Sequence, residues 1–305
     1  MHNIVRRFSN DFIIDSGTGR RKTMKKALVA TGILAALCAG IYLYGAHMAQ
    51  RLPDNDPAGF LASGIDRKGM KVLVCVGDSI THGRVSHNYV DMLAEKTGGK
   101  DFIFINAGIN SELAYNVLAR IDDVIRCKPD FVTILIGTND ANSSLSPENA
   151  ARAVSGMNLP RTPDREWFAE NLSGICRRLK SDTAAKIALL SIPPIGEDPL
   201  LPSFRASREY SAVIREIARR EGCAYLPLNE TMVSYLMANP RQRLHSYSEL
   251  NFLMYTGIFR HYILGESYDR ISERNGFSLL TDFLHLNGRG AGMVTDRILE
   301  FIKSK

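Results

Sequence analysis

The sequence predicts a three-layer α/β/α domain on a parallel five-stranded sheet, preceded by an N-terminal transmembrane helix. Three observations predict it: five short runs nearly continuous in Val, Ile and Leu, amphipathic stretches between them, and one long uncharged segment near the N-terminus. Continuous apolar runs are expected of strands covered on both faces. Their alternation with helical patterns implies right-handed β-α-β crossovers.

Residues 1–26 form a basic arm, with seven Lys/Arg against two Asp. Of the chain's 38 basic and 32 acidic residues, 31 and 30 then remain, so the body is nearly neutral and nucleic acid is not an expected partner. Residues 27–46, ALVATGILAALCAGIYLYGA, carry no charge and are long enough to cross the roughly 30 Å core of a bilayer as a helix. Arg20, Arg21, Lys22, Lys25 and Lys26 precede this segment and only Arg51 follows closely. The positive-inside rule therefore places the arm in the cytoplasm and the body on the far side. A cleaved signal peptide is the rival reading, but its apolar region is normally only about 7 to 15 residues long, and no small-x-small site follows. An uncleaved signal-anchor is expected, with secretion as the alternative. Residues 47–70, rich in Pro, Gly and Asp, read as a linker to a domain spanning 71–305.

The expected strands are KVLVCV (71–76), FIFIN (102–106), FVTILI (131–136), KIALLSI (186–192) and CAYLPL (223–228). Leu113, Val117, Ile121, Val124 and Ile125 predict one helix after the second strand, opened by Ser111 and stopped by Pro129. Met293, Val294, Ile298, Leu299 and Ile302 predict a last helix over 289–303. Cys75 and Cys223 sit in strand-like runs and read as small core residues, and no CxxC or other metal-ligand spacing is present. No metal or cofactor is expected.

Ligands of such sheets bind beyond the carboxyl ends of the strands. Three strands end there in Gly plus short polar groups: Gly77-Asp-Ser79, Asn106-Ala-Gly-Ile-Asn-Ser111 and Gly137-Thr-Asn-Asp140. Ester hydrolysis requires a nucleophile, a base, a group that orients the base, and oxyanion donors. Ser79 is the candidate nucleophile. Of seven histidines, His285 has a carboxylate at a useful spacing in a loop, Asp282, which can accept from its Nδ1 and fix the tautomer. The N–H groups of Ser79 and Gly108 and the Asn139 amide are the candidate oxyanion donors. Each residue also has a plain structural explanation: Ser79 as a helix cap, Gly108 as a turn glycine, Asn139 as an Asx-turn residue. Asp78 and Asp140 read as loop braces that accept backbone N–H groups.

Gly77-Asp-Ser-Ile80, Gly108, Gly137-Thr-Asn-Asp140 and Asp282-Phe-Leu-His285 resemble, in order and spacing, the four blocks of the GDSL or SGNH hydrolase family. The resemblance covers 71 to about 303. It implies a flavodoxin-like sheet, a metal-free serine esterase or lipase activity, and Ser79, Gly108, Asn139 and His285 as the family's signature residues, with Asp282 completing a triad. Phe283 and Leu286 depart from the Gly and Pro of a common Asp-Gly-x-His-Pro form of the last block.

A long insertion over about 229–278 carries Phe252, Tyr255, Phe259 and Tyr262 at helical spacing. They are candidate substrate-pocket residues on a lid helix, with packing on the sheet as the alternative. An anchored hydrolase of this class fits an ester-bearing lipid such as a lysophospholipid, and equally an acylated carbohydrate, by hydrolysis or by acyl transfer. The reading from a different class is a membrane-tethered binding or assembly factor without turnover.

Overall fold

The computed structural model describes residues 16–303, which divide into two units between His47 and Met48. The first fifteen residues of the basic arm lie outside the described residues. A single helix, Ser16–Gln50, begins in the first unit and contains the apolar stretch Met24–Gln50. At 1.5 Å per residue, its 27 residues span about 40 Å, enough to cross a membrane by length and composition.

In the second unit five parallel strands form one sheet: β1 (Lys71–Gly77), β2 (Phe102–Gly108), β3 (Phe131–Leu135), β4 (Lys186–Leu190) and β5 (Ala224–Leu226). Their order is β2-β1-β3-β4-β5. Each expected strand is present. The third to fifth are shorter than the apolar runs, because Ile136, Ser191, Ile192, Pro227 and Leu228 continue beyond the ladder into loops and a helix. Val72 to Val76 are fully buried, as continuous apolar strands require, and Leu73, Ile105, Ile134 and Leu189 extend the same core along the sheet. Cys75 lies in this core and Cys223 is partly buried; all five cysteines are free.

The sequence enters β1, crosses to β2 on one side and then returns to β3 on the other. β1 and β3 stay paired to their carboxyl ends, and the connections that leave them run in opposite directions, leaving a crevice between them. Ser79 follows β1 and Asn139 follows β3, so this reversal sets the position of the site.

Two expectations are corrected. The single helix predicted after β2 is two, Ala114–Ala119 and Ile121–Arg126, broken at Arg120. The apolar stripe is kept across the break, but the Arg120 guanidinium reaches back to the Ala107 carbonyl (2.8 Å) and the Glu112 carboxylate (2.6 Å). Ser111 does not cap the first helix; Asn116 Oδ1 accepts from the Leu113 N–H at its start. The segment 47–70, read as a linker, carries the short helix Pro57–Ser63, and Asn55 pairs with the open edge of β2.

The insertion folds as helices Leu228–Ala238, Leu250–Tyr262 and Tyr268–Arg274. The second of these packs through Leu253 and Gly257, and a Cβ on Gly257 would lie 3.8 Å from Ile271. The final helix, Gly288–Lys303, buries Val294, Ile298 and Ile302 as predicted. Leu189, fully buried in β4, tests the core: Leu189→Ala is expected to cost about 2–5 kcal/mol, read as a lower urea midpoint with an unchanged slope.

Candidate active site

β1 delivers Asp78 and Ser79 into a one-turn helix, Ser79–His82. Asp78 caps it by accepting from the Ile80 N–H (3.0 Å), and Gly83, at φ 73°, closes it. Gly77 is required by close approach. A Cβ there would stand 2.4 Å from the Leu135 carbonyl oxygen and 2.1 Å from Thr81 Oγ1. Ser79 is held at the first helical position, half-buried, with its own N–H free of any partner within the helix.

Ser79 Oγ lies 3.0 Å from His285 Nε2, and His285 Nδ1 lies 2.8 Å from Asp282 Oδ2. The other Asp282 oxygen, Oδ1, accepts from the backbone N–H groups of Leu284 (2.6 Å) and His285 (2.9 Å). One carboxylate thus shapes the turn and orients the imidazole. The loop is tied at its ends as well: the Thr281 N–H donates to the His285 carbonyl (2.7 Å), and Leu280 bridges Leu286. Leu286 stands where the family's proline is common, and its N–H donates to Ser86 Oγ (2.9 Å), a bond a proline cannot make. Phe283 replaces the glycine by filling space. It is buried, with edge-to-face contacts to Tyr247 and Phe277.

Burial opposes protonation of His285, but the Asp282 charge and hydrogen bond outweigh it, and the imidazole pKa is raised above 6.5. Burial lifts Asp78 and Asp140 to about 7. Asp140 accepts from the Ala114 N–H (3.2 Å), so both carboxyls brace loops as read from the sequence.

On the oxyanion side, one of the candidate donors already has a partner in the fold. The Gly108 N–H donates to Asn106 Oδ1 (3.0 Å) and is therefore committed within its own loop. Its glycine is needed for packing instead, because a Cβ would meet the His82 backbone nitrogen at 2.1 Å. Three residues on, Ser111 has φ 66° and an N–H with no acceptor among the described residues. Asn139 Nδ2 donates to the carbonyl of the next residue, Glu112 (3.0 Å), which fixes the Asn139 amide against the same loop. Glu112 is buried and accepts three hydrogen bonds from Arg120.

Of the lid candidates, Phe252, Tyr255 and Phe259 are exposed (63%, 58% and 44%), because the helix packs through its opposite face. The Tyr262 hydroxyl donates to the Arg84 carbonyl (2.6 Å). Tyr247 instead reaches the site, packing on Phe283 and bonding to Asn142. With Ser146, Asn149, Arg152 and Asn251 it lines a groove of about 410 Å³. Glu197 was not apparent from the sequence either. Its carboxylate accepts the N–H groups of Ser278, Leu279 and Leu280 at 2.7–2.9 Å, and a residue more than 80 positions from its partners leaves no spacing signal. No cluster able to hold a metal is found among the described residues.

Fold and family together define a serine ester hydrolase of the SGNH type. A profile of the GDSL-like lipase/acylhydrolase family matches residues 75–292, and the chain belongs to that family. Solved structures with the same fold include the acetyl xylan esterase AlAXEase (22% identity, TM-score 0.54, 76% of this chain and 99% of that one). Another is Axe2, an acetylxylan esterase from Geobacillus stearothermophilus (18% identity, TM-score 0.53, 79% and 98%). A third is LAE5, an α/β hydrolase from the metagenome of Lake Arreo, Spain (20% identity, TM-score 0.51, 75% and 94%). No curated protein matches the chain.

A base with a raised pKa is neutral, and competent, only above it. The acid limb of kcat/KM is expected to have its midpoint above 6.5, with activity rising as pH increases through it. Asp282→Asn is expected to lower that midpoint and to reduce kcat by about 10⁴-fold, both read from a pH–rate profile.

Proposed function

We propose that this chain is a membrane-anchored, extracytoplasmic serine esterase in which Ser79, His285 and Asp282 act as a triad. The observation that carries the reading is the unbroken bond chain from Ser79 Oγ through the His285 ring to Asp282, at 3.0 and 2.8 Å. His285 Nε2 takes the Ser79 proton as Oγ attacks the ester carbonyl, and returns it to the leaving alcohol as the tetrahedral intermediate collapses to an acyl-enzyme. Water, deprotonated by the same nitrogen, then releases the acid and restores Ser79. Asp282 stabilises the imidazolium that forms in each step.

The oxyanion falls to the Ser79 N–H, the Asn139 amide and the Ser111 N–H, in place of Gly108. Removing one such donor costs about 3 kcal/mol of barrier. The groove beside Tyr247, with Leu145, Leu201, Pro202 and Leu250 as an apolar wall and Ser146, Asn149, Arg152 and Asn251 as polar groups, suits a carbohydrate that carries a small acyl group. The acetyl xylan esterases among the similar structures support the same substrate class. A second reading, an ester of a lipid such as a lysophospholipid, is favoured by the exposed Phe252, Tyr255 and Phe259.

p-Nitrophenyl esters from acetyl to palmitoyl test the proposal on the full-length protein. Ser79→Ala is expected to abolish turnover, and a steep preference for acetyl supports the carbohydrate reading; a preference for long chains replaces it with the lipid reading. Turnover that survives Ser79→Ala would sink the triad. Anchoring through Met24–Gln50 is tested by a reporter fused after Lys305, expected to be active only outside the cytoplasm.

A further inference from the structure

Residues 49–55 lie N-terminal to the stretch matched by the family profile, yet they are fastened to both loops that carry the candidate chemistry. Asn110 Nδ2 donates to the Ala49 carbonyl (2.7 Å). His82 Nε2 lies 2.9 Å from the Arg51 carbonyl oxygen, which also accepts from Arg84 Nε (3.3 Å). The Asn106 N–H donates to the Asn55 carbonyl (3.0 Å), and Asn55 Nδ2 to the Phe104 carbonyl (3.1 Å). These last two bonds pair the segment with the outer edge of β2, an edge strand whose N–H and C=O groups need a partner.

The residues that receive this segment are the ones next to the reacting groups. His82 is buried and ends the helix that Ser79 begins. Asn110 precedes Ser111, the free N–H at positive φ. The two are joined to each other, His82 Nδ1 lying 2.6 Å from Asn110 Oδ1. Asn106 is the hub between them: its side chain holds the Gly108 N–H (3.0 Å) and the Thr81 carbonyl (2.8 Å), while its backbone N–H holds Asn55. The segment therefore grips the serine helix at its end and the loop 106–112 at both sides.

We propose that residues 49–55 form a positioning strap of the active site, holding the Ser79 helix and the Ser111 loop at their working separation, with His82 as its main latch. The proposal rests on the serine esterase reading above. Small displacements of catalytic groups cost large factors in rate, so a loosened strap slows the chemical step while leaving substrate affinity nearly intact. Activity then depends on a segment that begins at the last two residues of the apolar helix, and cleavage within it would release a domain that is folded but slow.

The test uses full-length protein in detergent, comparing the parent with His82→Phe, with His82→Gln, and with a chain in which residues 50–55 are replaced by Gly and Ser at equal length. His82→Phe and the Gly/Ser strap are expected to lower kcat on a p-nitrophenyl ester about 10- to 100-fold, with KM within about 3-fold. His82→Gln, which keeps a donor for the Arg51 carbonyl, is expected to recover most of the loss. Hydrogen exchange at the Asn106 amide reports release of the strap independently of turnover and is expected to quicken in the Gly/Ser chain. Faster exchange with undiminished kcat would reduce the segment to an edge cover and overturn the proposal, as would kcat within 2-fold of the parent in both loosened chains. If His82→Phe fails to fold, the Gly/Ser chain decides alone, since its sequence from Asp56 onward is unchanged. A parent without esterase activity would count against the serine esterase reading, and the strap proposal would fall with it, even where Asn106 exchange shows the segment bound.

Discussion

The 3.0 Å bond between Ser79 Oγ and His285 Nε2 joins residues 206 positions apart, and the rest of the fold is arranged around its two ends. One end is fixed by β1, whose fully buried residues leave no freedom to the chain emerging at Gly77. The other end has no strand beneath it. Its rigidity is assembled from polar contacts: Asp282 folding the turn, Ser86 holding Leu286, and Glu197 gathering three successive N–H groups just upstream. A loop of this kind is as precise as its hydrogen bonds are complete, because unpaired buried groups would let it relax.

The second constraint is the shortage of free donors on the oxyanion side. A backbone N–H can serve a transient charge only if the resting fold does not already use it. At Gly108 it is used by Asn106; at Ser79 the helix start leaves it unused, and at Ser111 the positive φ turns it away from the ladder. The buried Glu112–Arg120 pair, which also breaks the following helix, anchors this strained residue from below. Arg120 thus links a local departure from helix periodicity to the geometry of the site.

The parallel five-stranded sheet and the four polar clusters were legible because each has a short-range signature: continuous apolar runs, strand ends in Gly plus small polar residues, and Asp three residues before His; the strand order carries no such signature and came from the structure. The base loop's tolerance of Phe283 and Leu286 was not legible, since it depends on Tyr247, Phe277 and Ser86 from distant segments. At Gly108 the glycine signals close approach, and the group that approaches it in the fold is the His82 backbone, a contact no sequence spacing shows. The outward face of Phe252, Tyr255 and Phe259 shows the limit of periodicity, which finds a stripe but not which side is covered. The segment 49–55 carried the composition of a linker, and the bonds that fasten it to the domain run mostly through its carbonyl groups, invisible in any side-chain pattern, with Asn55 Nδ2 the exception.

The central claim is that Ser79 is a nucleophile activated by His285, and covalent trapping tests it most directly. Full-length protein treated with a fluorophosphonate and mapped by peptide mass spectrometry is expected to carry one adduct, on Ser79, forming at least about 10³-fold more slowly in His285→Ala. An adduct on another serine, or labelling of Ser79 at the same rate without His285, would contradict the account.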